Sequence, residues 1–280
     1  MEQQKTIIDG KTLGKDMQKE LKQMFKPLFS LAESKATDAD FLVTAAKQLK
    51  LLPDEGMMGQ FKAKYIPLVQ QVLDEQVKEY KKHETAYLRS AKEKGTIIRE
   101  VSNGWRVGPL LLETKPSEGK IRFCYNREPL TPFVTVAASK EIEELESQAL
   151  LMLENASIDQ ERLTFWMWIA YKKAVVGIYE QMEGQSVLIR EFAEEFLVLC
   201  AKDKEFIKSV GFGVNDKLPM WLFLYNLDRY RLMGGMVPAQ QRIGLQTGSQ
   251  QEVSKGLGVT VNGLHSEEEY KTMCYAIPYK

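Results

Sequence analysis

Cysteine and histidine are scarce in this chain, with three of the first and two of the second. Cys124, Cys200 and Cys274 are odd in number and far apart, which argues against a disulfide framework and for a reducing, cytoplasmic setting. With only His83 and His265, and no close cysteine pair, none of the usual four-ligand zinc sets can be assembled. A Ser-His-Asp arrangement would have to use one of those two histidines, and no G-x-S-x-G elbow accompanies them. An excess of one charge is missing too, since 38 basic residues balance 38 acidic ones. That excludes a protein held to nucleic acid or anionic lipid by bulk charge, though not one with a local patch. No apolar run reaches the roughly 18 residues that a bilayer-crossing helix needs. The richest stretches, Phe165–Tyr179 and Met220–Leu232, are broken by Lys172, Lys173, Asp228 and Arg229. The opening residues lack the apolar centre of a secretory signal. A soluble chain without membrane contact is expected. Gly211-Phe212-Gly213 and Gly256-Leu257-Gly258 are lone glycine pairs that read as turns, and no phosphate-loop motif is present.

What is present is helix, interrupted once. Hydrophobic content of 44% supports a real core. Spacing predicts short amphipathic helices over Gly14–Ala32 and Asp38–Leu52, then a long one over about Gly59–Lys94. Phe61, Tyr65, Val69, Leu73, Val77, Tyr80 and Tyr87 lie along the long helix at intervals of three, four or seven. Pro67 falls inside it, so the helix either starts nearer that residue or kinks there. Helical spacing returns at Ser139, where Ile142, Leu145, Ala149 and Met152 form a narrow 3-4-3 seam of coiled-coil type. Lys78, Lys81, Lys82, Arg89, Lys92 and Lys94 close the outgoing helix, and Glu141, Glu143, Glu144 and Glu146 open the returning one. Opposite charges there favour an antiparallel helical hairpin.

Between the two helices, residues 96–134 change to β-branched and aromatic residues broken by turn signals. The pattern predicts a three-stranded antiparallel meander. Asn103-Gly104 marks its first turn, because a type I′ turn needs positive φ at both centres. Gly108-Pro109 should bend the middle strand or place it at an edge. Ile121, Phe123 and Tyr125 alternate with Arg122, Cys124 and Asn126, as in a half-buried strand.

Three further helices are predicted over Asp159–Glu183, Ser186–Asp203 and Pro219–Met233. The first is crowded with aromatics, a sign of burial on several sides. From residue 234 the chain turns rich in Gly, Gln, Ser and Thr and ends in Tyr270, Met273, Tyr275, Ile277 and Tyr279. That composition predicts a flexible arm with aromatic anchors for a partner. The expected fold is α+β, mainly α: a helical bundle whose hairpin carries the meander, plus the arm. The expected divisions are residues 1–156, 157–233 and 234–280.

Two sets of residues in the meander bear on chemistry. Glu113-Thr114-Lys115 ends an apolar strand, with Glu113 and Lys115 two residues apart on one face. Such an acid can hold Mg²⁺ while the lysine polarises water or phosphate, and Glu100 is the candidate second acid. Over these few residues the pattern resembles that of PD-(D/E)xK nucleases, although the Pro-Asp element is absent. The competing reading leaves both residues solvated at a turn. The second set is basic and aromatic: Arg99, Trp105, Arg106, Lys120, Arg122 and Arg127, a composition suited to phosphates and stacked bases. The leading expectation is a non-catalytic subunit or adaptor that binds protein partners, within reach of nucleic acid, and needs no cofactor. The alternative is a metal-dependent nuclease using Glu100, Glu113, Lys115 and Mg²⁺.

Overall fold

Helical spacing over residues 38–94 becomes two helices in the computed structural model, which describes residues 38–178, 185–213, 215–233, 242–261 and 271–279. Helix α1 is Asp38–Leu51 and helix α2 is Gly56–Glu93. The helix expected over Gly14–Ala32 lies outside the described residues, as do His265 and Tyr270. Helix α2 runs through Pro67 without a break in its assignment, so of the two expectations it is the late start that fails.

The chain divides into two compact units. One runs to Thr85 and takes in Lys115–Lys120 and Thr135–Ala137; the other comprises Ala86–Thr114, Ile121–Val134 and Ala138–Lys280. In the first unit, α1 buries Ala45 and Leu49 and packs against the 3-10 turn Pro116–Glu118. Lys62 ties the linker to α2 by donating to the Leu52 carbonyl (3.0 Å) and pairing with Asp54 (2.7 Å).

The sheet holds six strands rather than three: β1 (Ile98–Val101), β2 (Gly104–Val107), β3 (Leu110–Lys115), β4 (Lys120–Tyr125), β5 (Glu128–Pro129) and β6 (Val134–Thr135). The first five lie in chain order, and β6 pairs with β4. One extra strand arises at Gly108-Pro109, expected to bend the middle strand or place it at an edge, and β5 and β6 follow turns not expected from the sequence. Gly108, at φ 57°, and Pro109 turn the chain back, with Val107 opposite Leu110. The first turn also differs by one residue. Val101 faces Gly104, so Ser102-Asn103 form its centre, and Asn103 is not among the residues with positive φ. The positive-φ pair of a type I′ turn occurs instead at Asn126 (47°) and Arg127 (71°), between Tyr125 and Glu128.

Strand alternation sorts the side chains. Val107, Leu110, Leu112, Ile121 and Phe123 share one face and are fully buried, with the Tyr87 ring edge-on to Phe123 at 6.4 Å. Leu111 and Cys124 point the other way and are buried too. The middle of β3 and β4 is therefore covered on both faces.

The second unit continues with helix α3 (Ser139–Asn155), helix α4 (Gln160–Lys172), helix α5 (Ile189–Lys202), helix α6 (Lys204–Val210) and helix α7 (Met220–Leu232). Helix α3 buries Ile142, Leu145, Ala149 and Leu153. Its stripe thus follows the drift of an ordinary 3.6-residue helix, and Leu153 replaces the expected Met152. Near its start, Glu143 accepts from Ser90 Oγ (2.9 Å) and Lys94 Nζ (3.2 Å). Helix α4 is capped by Asp159 and gives way after Lys172 to a π-helical turn, Lys173–Ile178, so the single long helix expected there is shorter. Phe192 and Phe196 of α5 meet Phe223 of α7 edge to face at 5.3 and 5.6 Å. These aromatic contacts form the core.

The stretch expected as a flexible arm is built into the fold where it is described. Strand β8 (Arg242–Gln246), helix α8 (Gln250–Ser254) and strands β9 (Val259–Val261), β10 (Lys271–Met273) and β11 (Tyr275–Tyr279) follow one another. A short β7 (Val187–Leu188), missed in the sequence, pairs with β11, which also pairs with β8. Ile243, Val261, Cys274 and Ala276 are buried. Short strands in a glycine- and glutamine-rich context carry too few apolar residues to show a period of two. Among the described residues no helix is long and apolar enough to cross a membrane.

Candidate functional site

The β1–β2 hairpin places Arg99 directly opposite Arg106, and Arg106 directly opposite Leu111 of β3. Val101, Gly104 and Glu113 form the next row on the same face. This close approach needs glycine at position 104: its φ is 147°, and a Cβ there would sit 1.9 Å from the Leu112 carbonyl oxygen. Above these rows lies a cleft of about 300 Å³. Arg99, Glu100, Val101, Arg106, Leu111 and Glu113 line it from the strands, Ser102 and Asn103 from the first turn, and Arg127 from the β4–β5 turn.

Two contacts fix the cleft's wall. Arg122 of β4 directs Nε and Nη2 at Glu113 Oε2, each at 2.6 Å, and its guanidinium lies over the Phe133 ring at 4.4 Å. Arginine held by a carboxylate on one side and an aromatic face on another is a rigid group. The neighbouring Cys124 thiol is pushed up to about 12, mainly by burial and next by the Glu113 charge. It is an inert thiol at neutral pH.

Arg127 reaches the cleft because its turn is anchored from behind. Asp228 of α7 accepts hydrogen bonds from the Tyr125 hydroxyl and Asn126 Nδ2, both at 2.9 Å, and from Arg231 Nη1 at 2.9 Å. Left-handed backbone costs a non-glycine residue about 1–2 kcal/mol, a conformation asparagine tolerates better than arginine. The bond to Asp228 fixes Asn126, and Arg127 follows. Burial drives the Asp228 carboxyl above its ordinary value of 3.8, while Asn126, Arg231 and Tyr125 pull the other way.

The structure separates the residues singled out in the sequence. Arg99, Arg106 and Arg127 come together at the cleft, and Arg122 stands in its wall. Trp105 is opposite Glu100 and Leu112, so its side chain belongs to the other face. Register sets Glu100 and Glu113 at alternate positions of the sheet, yet both residues line the cleft. Glu113 is engaged by Arg122. Lys115 and Lys120, grouped with the first unit, each lie 3.7 Å from Glu118. Among the described residues no group of three or more His, Cys, Asp or Glu is placed to hold a metal ion. Met273 ends β10, while Tyr275 and Ile277 stand in the doubly paired β11, where the Tyr275 hydroxyl bonds Glu252. The Tyr279 side chain is outside the described residues.

Asn126 and Asp228 were missed. The one available signal was asparagine's tolerance of positive φ at the end of an alternating strand. Compared with protein-family models, curated proteins and solved structures, the chain matches none of them.

Proposed function

We propose that this chain is a non-catalytic subunit or adaptor that holds an anionic segment of a protein partner in the arginine-lined cleft. The observation supporting this reading is the convergence of Arg99, Arg106 and Arg127 on one cleft. Glu100 and Glu113 also line the cleft, and Glu113 is engaged by Arg122. Arginine forks suit carboxylate and phosphate recognition and need no chemistry from their surroundings. In this reading the end of α2 and the start of α3 form a helical hairpin that presents the sheet. The Glu143 contacts to Ser90 and Lys94 support that arrangement. Nucleic acid is the second partner class compatible with the charge of the cleft.

The reading is tested by recovering the native protein and its Arg106→Glu variant from their own cells under identical conditions. A stoichiometric partner that accompanies the native chain should fall at least about tenfold with the variant, as expected for reversing a charged contact. Equal recovery from a variant with the native circular dichroism spectrum would refute it.

A further inference from the structure

We infer that the outer edge of β1 is a docking strand for an extended segment of a protein partner, which joins the sheet as a further antiparallel strand. This goes beyond the binding reading above and uses main-chain groups, not the charge of the cleft. The hydrogen-bond pattern of the hairpin identifies those groups. The Gly108 N–H bonds the Ile97 carbonyl at 2.9 Å. Ile97, Arg99 and Val101 therefore turn their main-chain groups to β2, and Ile98 and Glu100 turn theirs outward. β1 is the end strand of its sheet, and among the described residues nothing bonds the main chain of Ile98 or Glu100 on that side. Two donors and two acceptors thus stand in line, spaced to match an incoming strand. The other end of the sheet is β5, two residues long and carrying Pro129, which cannot donate. β1 carries no proline; Ile97 beside it is 56% exposed, and Glu100 is exposed.

The cleft leaves room along that edge. Arg99, Glu100 and Val101 line it in succession. Successive strand residues point to opposite faces, so a space bordered by three in a row runs along the backbone. Register then selects the occupant. A second copy of this chain does not fit, because symmetric antiparallel pairing centred on Arg99 sets that residue against its own counterpart. Pairing centred on Glu100 does the same with the acid, and like charges directly opposite weaken a strand pair. Pairing centred on Ile98 requires the Thr96 N–H, which is bonded to the Ala91 carbonyl at 3.0 Å. The edge thus rejects itself and takes a strand of different sequence. On the face shared by Ile98 and Glu100, the best match is a β-branched apolar residue against the first and a basic residue against the second.

The test uses the full isotope-labelled chain and three capped heptapeptides. The first alternates threonine and valine, threonine first, with lysine in place of the central valine. The second has glutamate at that centre, and the third is the lysine peptide N-methylated on its lysine and valines. Amide shifts and hydrogen exchange at Ile98 and Glu100 are read by NMR. The lysine peptide should shift both amides and slow their exchange. The glutamate peptide should bind about threefold or more weakly, from the change of one cross-strand charge pair. The N-methylated peptide, which cannot donate to the edge, should do nothing. Glu100→Pro removes only an outward N–H, so it should melt as the native chain does and lose the lysine peptide. Equal binding of the N-methylated peptide would overturn the proposal, as would indifference of Ile98 and Glu100 to millimolar lysine peptide. Protection of both amides by self-association without peptide would overturn it in favour of a second copy. Arg106→Glu leaves the edge intact and should bind the lysine peptide as the native chain does. Unchanged partner recovery in that variant, with the two amides protected by peptide, would remove the adaptor reading and leave this inference. Partner loss in that variant, without protection of Ile98 and Glu100, would do the reverse.

Discussion

Asp228 follows an apolar run, yet the fold buries it and surrounds it with three donors. Its carboxyl titrates above the ordinary 3.8 because burial outweighs those donors. A carboxyl raised in the folded state adds stability that is fully present below the unfolded value and is lost as pH rises through the folded one. Asp228→Asn removes that dependence and leaves other groups unchanged, so the difference between the two chains isolates it. The native chain's stability relative to the variant should therefore be greatest below pH 3.8 and decline as pH rises above it. Denaturant midpoints at a series of pH values measure this, and a difference independent of pH would contradict it. None of this was legible beforehand. In the sequence Asp228 and Arg229 only interrupt an apolar stretch, and Asn126 falls on the polar side of a strand. Their meeting spans 102 positions, which no local pattern encodes.

Among the elements, strong periodicity translated into structure and weak periodicity did not. Helix α2, helix α3 and the strand character of residues 98–125 were legible because many residues report one period. The count of strands was not, because Gly108-Pro109 reverses the chain in a form that also suits a bend. The basic cluster was legible as composition. Its division between faces was not, since a shift of one residue in register exchanges them all. The region after residue 234 was misread because short strands there draw their stability from partners far away in the chain. Ile189 N–H bonds the Cys274 carbonyl at 2.8 Å, and β11 lies between β7 and β8. A chain ending at Met233 would lose buried Ile243, Val259, Val261, Cys274 and Ala276. It should be destabilised by roughly 5 kcal/mol or more, at about 1–3 kcal/mol for each large apolar side chain. Chemical denaturation measures the loss, and a truncated chain with the native midpoint would show that these strands contribute nothing.

Across the whole molecule, all three cysteines are free thiols and all are buried. Burial raises the Cys124 thiol to about 12 and the Cys200 thiol higher still. Maleimide at mildly alkaline pH should therefore label the native protein only as fast as the protein opens, and should find three thiols once it is denatured. Reductant should leave the melting temperature unchanged. Rapid labelling of any thiol in the native state would contradict this picture.

The bond between Asn126 and Asp228 also has an effect in time. A ribosome adds roughly 5–20 residues per second, so a stretch of 102 residues takes about 5–20 s to synthesise. Through that interval the β4–β5 turn lacks the bond from Asn126 to Asp228. The newborn chain therefore completes the turn that carries Arg127 only when helix α7 emerges.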